Sequence, residues 1–265
     1  MTYPISIFIL DVSNSSSNEM GEELAGYLDD VVNWIKIWTS EVDPVIVRHR
    51  SGDEIILVGS GYSTAYTIAF FVSRIWRHKK HMPYFGLSFG DIDKELATID
   101  IEKWIHPLVK QARTANDSIK QAQNRPQFIF EMDQFLPDGT SDSFAYNQFR
   151  YEFETLMNSL LQLQQQYIKN QTEIQDAVCS LYFILQQQKA VAKVLGRTAP
   201  TISSHYKKGN SDEILNSFAD IVDILNSLEK KSYSSSGNEP KDTNNKLHSM
   251  IRNHLKTEIS TFMNL

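Results

Sequence analysis

"VRHRSGDEIILV", residues 47–58, sets a glycine and two acids between two short apolar runs. The β-branched residues on either side read as a β-hairpin with Ser51-Gly52-Asp53 at its tip. Such a hairpin needs a neighbouring strand, and "PISIFILDV" at 4–12 supplies one. It is a continuous apolar run of the kind a strand buried on both faces carries. Between the two, Leu24, Leu28, Val31, Ile35 and Trp38 recur at helical spacing. Residues 64–80 are again helical, with Ala65, Ile68, Ala69, Val72 and Trp76 on one face, and "YFGLSFGDI" is the next strand. "IEKWIHPLVKQARTANDSIKQAQ" then places Ile105, Leu108, Ala112, Ala115 and Ile119 in helical register, with an early break at Pro107. "QFIFEM" closes the unit as a strand. The order β-α-β-β-α-β followed by α-β predicts an α/β, ferredoxin-like domain over 1–135 with one added helix and strand. In that plan the first strand lies beside the hairpin, which brings Asp11 to Asp53 and Glu54.

Three carboxylates at strand ends suit a hard cation such as Mg²⁺, which takes oxygen ligands and can bridge them to phosphates. Asp53 and Glu54 are adjacent, so in a regular strand they point to opposite faces, and at most one shares a face with Asp11. Gly52 lets the backbone approach a phosphate that a Cβ would block. The same residues also suit a solvated turn, and the residues alone leave both readings open.

Beyond "QFLPDGTSDS" (134–143) the pattern becomes helical, and residues 144–228 hold no convincing strand. Within them, "KAVAKVLGRTAPTISSHYKKGN" (189–210) reads as a helix-turn-helix over 189–208. Gly196 falls at the turn, Thr198 caps the second helix, Pro200 sits in its first turn and Ile202 is its inward anchor. Five Lys or Arg and no acid lie between Lys189 and Lys208, in a chain whose net charge is −6. That local reversal predicts a DNA-backbone footprint, with Lys193, Arg197 and Lys207 facing phosphates. Thr201, Ser204 and His205 then face bases. Residues 230–246 are polar and broken by Gly and Pro, as in a flexible linker. A C-terminal helix over 247–264 carries Leu247, Ile251, Leu255, Ile259 and Phe262 along one stripe, free to pair with itself in a homodimer.

Composition narrows the class. The lone Cys179 excludes an internal disulfide framework, and no apolar run approaches the length needed to span a bilayer. The N-terminus reads as a buried strand and not as a signal peptide, so a cytoplasmic protein without a membrane partner is expected. The seven histidines form no metal-ligand pattern, and Trp34, Trp38, Trp76 and Trp104 read as packing residues on helix faces.

The hairpin resembles that of GGDEF diguanylate cyclases and related class III nucleotidyl cyclases. The whole pattern is similar to the bacterial SatD family. Its D-x-x-N-S strand corresponds to Asp11, Asn14 and Ser15, and its G-D-E to Gly52, Asp53 and Glu54. Its glycine-paired strand corresponds to Gly86 and Gly90, and its A-R-x-A segment to Ala112, Arg113 and Ala115. The resemblance implies a cyclase-type palm followed by a helix-turn-helix, with Mg²⁺ at Asp11, Asp53 and Glu54 and a nucleotide at Asn14, Ser15, Gly52 and Arg113. It implies a DNA-binding regulator that responds to nucleotide and Mg²⁺. The alternative is an active nucleotidyl cyclase or nucleotidyltransferase using metal-bound Asp11 and Asp53 or Glu54. Ser51 stands in place of the first glycine of the GGDEF signature, Ile55 in place of its phenylalanine, and Ile105-His106 where the family tends to have Asp-Gly. These departures favour the regulator.

Overall fold

The structure is a computed structural model that describes residues 2–13, 21–50, 52–132, 150–234 and 243–263. Strand β1 (Tyr3–Val12), helix α1 (Gly21–Trp38), the hairpin β2 (Val45–His49) and β3 (Ile55–Ser60), and helix α2 (Thr64–Ile75) come first. They are followed by β4 (Pro83–Ile92), α3 (Pro107–Gln121) and β5 (Phe128–Phe130). The strands form one sheet in the order β2-β3-β1-β4-β5. All neighbours are antiparallel except β4 and β5, which are parallel.

Alternation along β1 divides the core into two layers. Phe8, Leu10 and Val12 face α1 and α2, together with Ile55 and Leu57 of β3 and Phe85 and Leu87 of β4. Ile5, Ile7 and Ile9 face the other way, with Ile56 and Val58, onto Leu108 and Ala112 of α3. The β3–α2–β4 and β4–α3–β5 connections start from parallel strands and step the same way across the sheet. Because α2 and α3 lie on opposite faces, these two crossovers have opposite hands. Gly86 makes the α3 side possible. A Cβ built there would fall 2.5 Å from Asn116 N and closer still to the Ala112 carbonyl.

Two details depart from the periodicity. The helix expected over 64–80 stops at Ile75. Trp76 leaves it with an extended backbone, and its indole N–H donates to the carbonyls of His78 and His81. Pro107 begins α3 outright and does not interrupt a longer helix, because a missing N–H costs nothing in the first turn. His106 is its N-cap, and Ile105, expected on the buried face, is 98% exposed in the segment before it. Trp104 likewise precedes the helix and stacks on His106.

Helices α4 (Arg150–Lys169), α5 (Glu173–Leu185), α6 (Gln188–Val194), α7 (Ala199–Lys208) and α8 (Ser211–Ser234) follow, then α9 (Thr243–Thr257) and α10 (Ile259–Met263). They add a third layer over α2, every residue of which is buried. The Phe70 and Phe218 rings stack at 4.5 Å, and the Tyr66 hydroxyl donates to Gln164 Oε1 at 3.1 Å. One apolar cluster therefore runs from β1 through α1 and α2 into α4, α5, α8 and α9. Helical structure extends to Ser234 and resumes at Thr243, inside the stretch read as linker; residues 235–242 lie outside the described residues.

The free C-terminal stripe is a correction. Leu247, Ile251, Leu255 and Phe262 are buried in this chain's own core, so they are not available to pair with a second copy. Trp38 Nε1 donates to His254 Nδ1 at 3.0 Å, and the Trp34 and Phe262 rings meet edge to face at 4.6 Å. No described helix is long and apolar enough to cross a membrane.

Candidate functional site

Leu10 pairs with Ile55 across β1 and β3, so one step further Asp11, next to last in β1, comes level with Glu54 just before β3. Gly52 turns the hairpin tip with φ of +98°, a conformation few other residues adopt. Asp53 comes near enough to Asp11 for its carboxylate to oppose ionisation of Asp11. Glu54 goes elsewhere. Its carboxylate receives Arg113 in a bidentate pair, at 3.0 and 3.2 Å, and Arg50 Nη1 at 3.3 Å. The irregular tip before β3, not strand alternation, gives the two acids different partners.

Helix α3 supplies the countercharge. Arg113 and Lys120 are seven residues apart, two helical turns, and so lie on one face. Lys120 is ion-paired with Asp11. Burial opposes its charge, but the hydrogen bond and charge of Asp11 outweigh that, and its pKa rises. Asp11 is also held above the ordinary carboxylate range. Burial is the larger cause, and the Asp53 carboxylate adds to it, together exceeding what Lys120 returns. The site is two crowded acids answered by one ammonium, next to a separate Glu54–arginine cluster.

This arrangement gathers Asp11 and Asp53 but sets Glu54 apart, and it commits Arg113 to Glu54. Among the described residues no group of three or more acids, histidines and cysteines is placed to hold a metal ion. The donor chemistry of Asp11 and Asp53 nonetheless fits Mg²⁺, which commonly takes only one or two carboxylates and keeps several waters. Asn14 and Ser15 lie outside the described residues. Arg50 was not legible as part of the site; its signal is its position four residues before Glu54, across the turn.

The second candidate surface is the α6–α7 pair. Gly196 takes φ of +59° in the connection, and Thr198 Oγ1 accepts the Thr201 N–H at 3.4 Å as N-cap. Ile202 and Tyr206 are buried against Val178 and Leu181 of α5 and Val191 and Ala192 of α6. Lys189, Lys193, Arg197, Ser204, Lys207 and Lys208 are exposed. Within α7, residues 201, 204 and 208 recur at helical spacing and share one side, while Arg197 stands in the connection before the helix. His205 is half-buried. Thr201 is too, and its hydroxyl is drawn into the cap, 2.8 Å from Thr198 Oγ1.

Comparison with protein-family models, with curated proteins and with solved structures returns no match.

Proposed function

We propose that this chain is a DNA-binding regulator, reading DNA through α6 and α7 and responding to a Mg²⁺-bound nucleotide at Asp11 and Asp53. The observation that carries the reading is the exposed basic seam Lys189–Lys193–Arg197–Lys207–Lys208 on a capped helix pair of an otherwise acidic chain. A helix presented this way fits a major groove, with Ser204 and His205 toward base edges and Lys193, Arg197 and Lys207 toward phosphates. Retention of mixed-sequence DNA fragments on a filter at low salt tests it. The pair Arg197→Ala and Lys207→Ala should weaken retention, and unchanged retention rejects the assignment.

The sheet order β2-β3-β1-β4 supports reading residues 1–135 as a split βαβ palm of the cyclase type, with β5 added at its edge. Asp11 and Asp53 would hold Mg²⁺, which neutralises the charge of a nucleotide's phosphates. Lys120 stands at the same point as a second cation, and Gly52 leaves open space where a side chain would project.

The acid pair also favours a second reading, a nucleotidyl cyclase or nucleotidyltransferase, because paired carboxylates are what phosphoryl-transfer palms use. Incubation with each nucleoside triphosphate and Mg²⁺ or Mn²⁺ separates the two. The regulator binds nucleotide without releasing pyrophosphate. Turnover that Asp11→Asn abolishes would establish the enzyme instead.

A further inference from the structure

A cleft of about 880 Å³ opens between the end of α2, the start of β4, the α3–β5 connection, and helices α4 and α5. None of Asp11, Asp53, Glu54 and Lys120 lines it. Its volume falls in the range of small-molecule sites.

The walls are mixed in a particular way. Trp76, Tyr84, Ile168 and Phe262 give it apolar surface, while Arg74, Arg77, Lys79, Arg125 and Lys169 bring five cations against only Glu173 and Asp176. Arg74 and Lys79 are both spent on Asp176, at 2.7 and 3.0 Å. Arg77, Arg125 and Lys169 have no carboxylate partner among the described residues. Arg77 lies 5.5 Å from the Tyr27 and Trp34 ring centres, with its Nε and one Nη buried and unbonded. Arg125 sits over the Tyr84 ring. Deeper in, Ser180 is 1% exposed and its hydroxyl has no partner, and Arg74, 5% exposed, leaves its Nε unbonded.

Buried donors left unsatisfied are costly in a folded chain and are normally met by protein, water or ligand. Arg74, Arg77 and Ser180, which carry them, all line one cavity with an excess of positive charge and the half-buried Tyr84 ring on its wall. We infer that this cleft is a binding site for a small organic anion, an acidic group on an apolar, ring-sized body. Arg125 and Lys169 take the acidic group, and Tyr84 and Ile168 cover the body. The inference is independent of the DNA reading. Helix α5 forms one wall of the cleft and also carries α6 and α7, so the site is built into the support of the basic seam.

The probe is anilinonaphthalene sulfonate, an aromatic anion, compared with phenylnaphthylamine, the same body without the sulfonate, on the full folded chain. The sulfonate should bind saturably at one site per chain and about tenfold tighter than the neutral dye, the scale of one charge-assisted contact. Arg125→Glu with Lys169→Glu changes two exposed side chains and should remove that preference. Ala177→Leu, which fills the cleft from α5 without altering charge, should block both dyes. Thermal melting of each variant shows that it is folded. Equal affinity for the two dyes, or binding that survives both sets of changes in folded protein, overturns the inference.

Discussion

Asp11 and Asp53 carry opposing demands at the scale of single residues. Burial first, and the neighbouring Asp53 carboxylate second, make the charge of Asp11 costly to the fold. Asp11 titrates above its ordinary value of 3.8 in the folded chain, so ionising it costs the folded state more than the unfolded one. Stability therefore falls as pH rises through that interval, and the deficit is complete above it. Asp53→Asn should raise the melting midpoint at neutral pH by about 2–4 °C, the shift about 1 kcal/mol produces in a chain of this size. The gain should vanish below pH 3.8, where Asp11 is protonated in both states. Melting curves at the two pH values check this, and a neutral-pH loss would show that Asp53 is structural. Asp176 has the opposite sign. Burial opposes its charge, but Arg74 and Lys79 outweigh burial and depress its pKa. Its contribution is present above the ordinary carboxylate value and is lost as pH falls through the folded one. Asp176→Ala strands Arg74, whose side chain is 3% exposed, and should cost about 3–5 kcal/mol in denaturant unfolding.

Helix α3 is the element that turns a sheet into a site, because it brings Lys120 to Asp11 and Arg113 to Glu54. Its seat depends on Gly86. Gly86→Val would drive a branched side chain into the Ala112–Asn116 backbone, and overpacking of that kind costs about 1–3 kcal/mol or more. The Arg113–Glu54 and Lys120–Asp11 contacts would loosen with it. Amide hydrogen exchange should show loss of protection concentrated in 107–121, and unchanged protection there would contradict the packing. The sequence made α3 and the strands legible through period and β-branching, and it made the Asp11–Asp53 approach legible through the order of elements. It could not reveal the partners of Glu54 and Asp11, since Arg113 and Lys120 meet them only once α3 crosses the sheet. Nor does helical spacing say where a stripe is buried. Arg74 in the apolar run of α2 was the overlooked signal. A lone cation among residues 64–75, all of them buried, demands an acid from elsewhere, and α5 provides it.

The whole molecule is held together by helices from its second half. Leu247, Ile251, Leu255 and Phe262 close the same core that β1 and α1 begin. Burying each such side chain contributes about 1.5–3 kcal/mol, so together they rival the total stability of an ordinary domain. Deleting 243–265 should abolish cooperative thermal unfolding. A truncated chain with an unchanged midpoint would mean that α9 and α10 do not close the core. The basic seam is carried by the small cluster of α5, α6 and α7, which Leu215 and Ile259 join to the rest, and its cations answer to solvent and not to packing. Counterion release gives them a quantitative signature: log affinity for duplex DNA falls with log salt by about 0.9 for each phosphate neutralised. The most direct test measures that slope by fluorescence anisotropy for the parent chain and for Arg197→Ala with Lys207→Ala. The account predicts a steep slope that flattens by about 1.8 in the variant, two phosphate contacts at 0.9 each. Parallel slopes, or no salt-dependent binding by the parent, would contradict it.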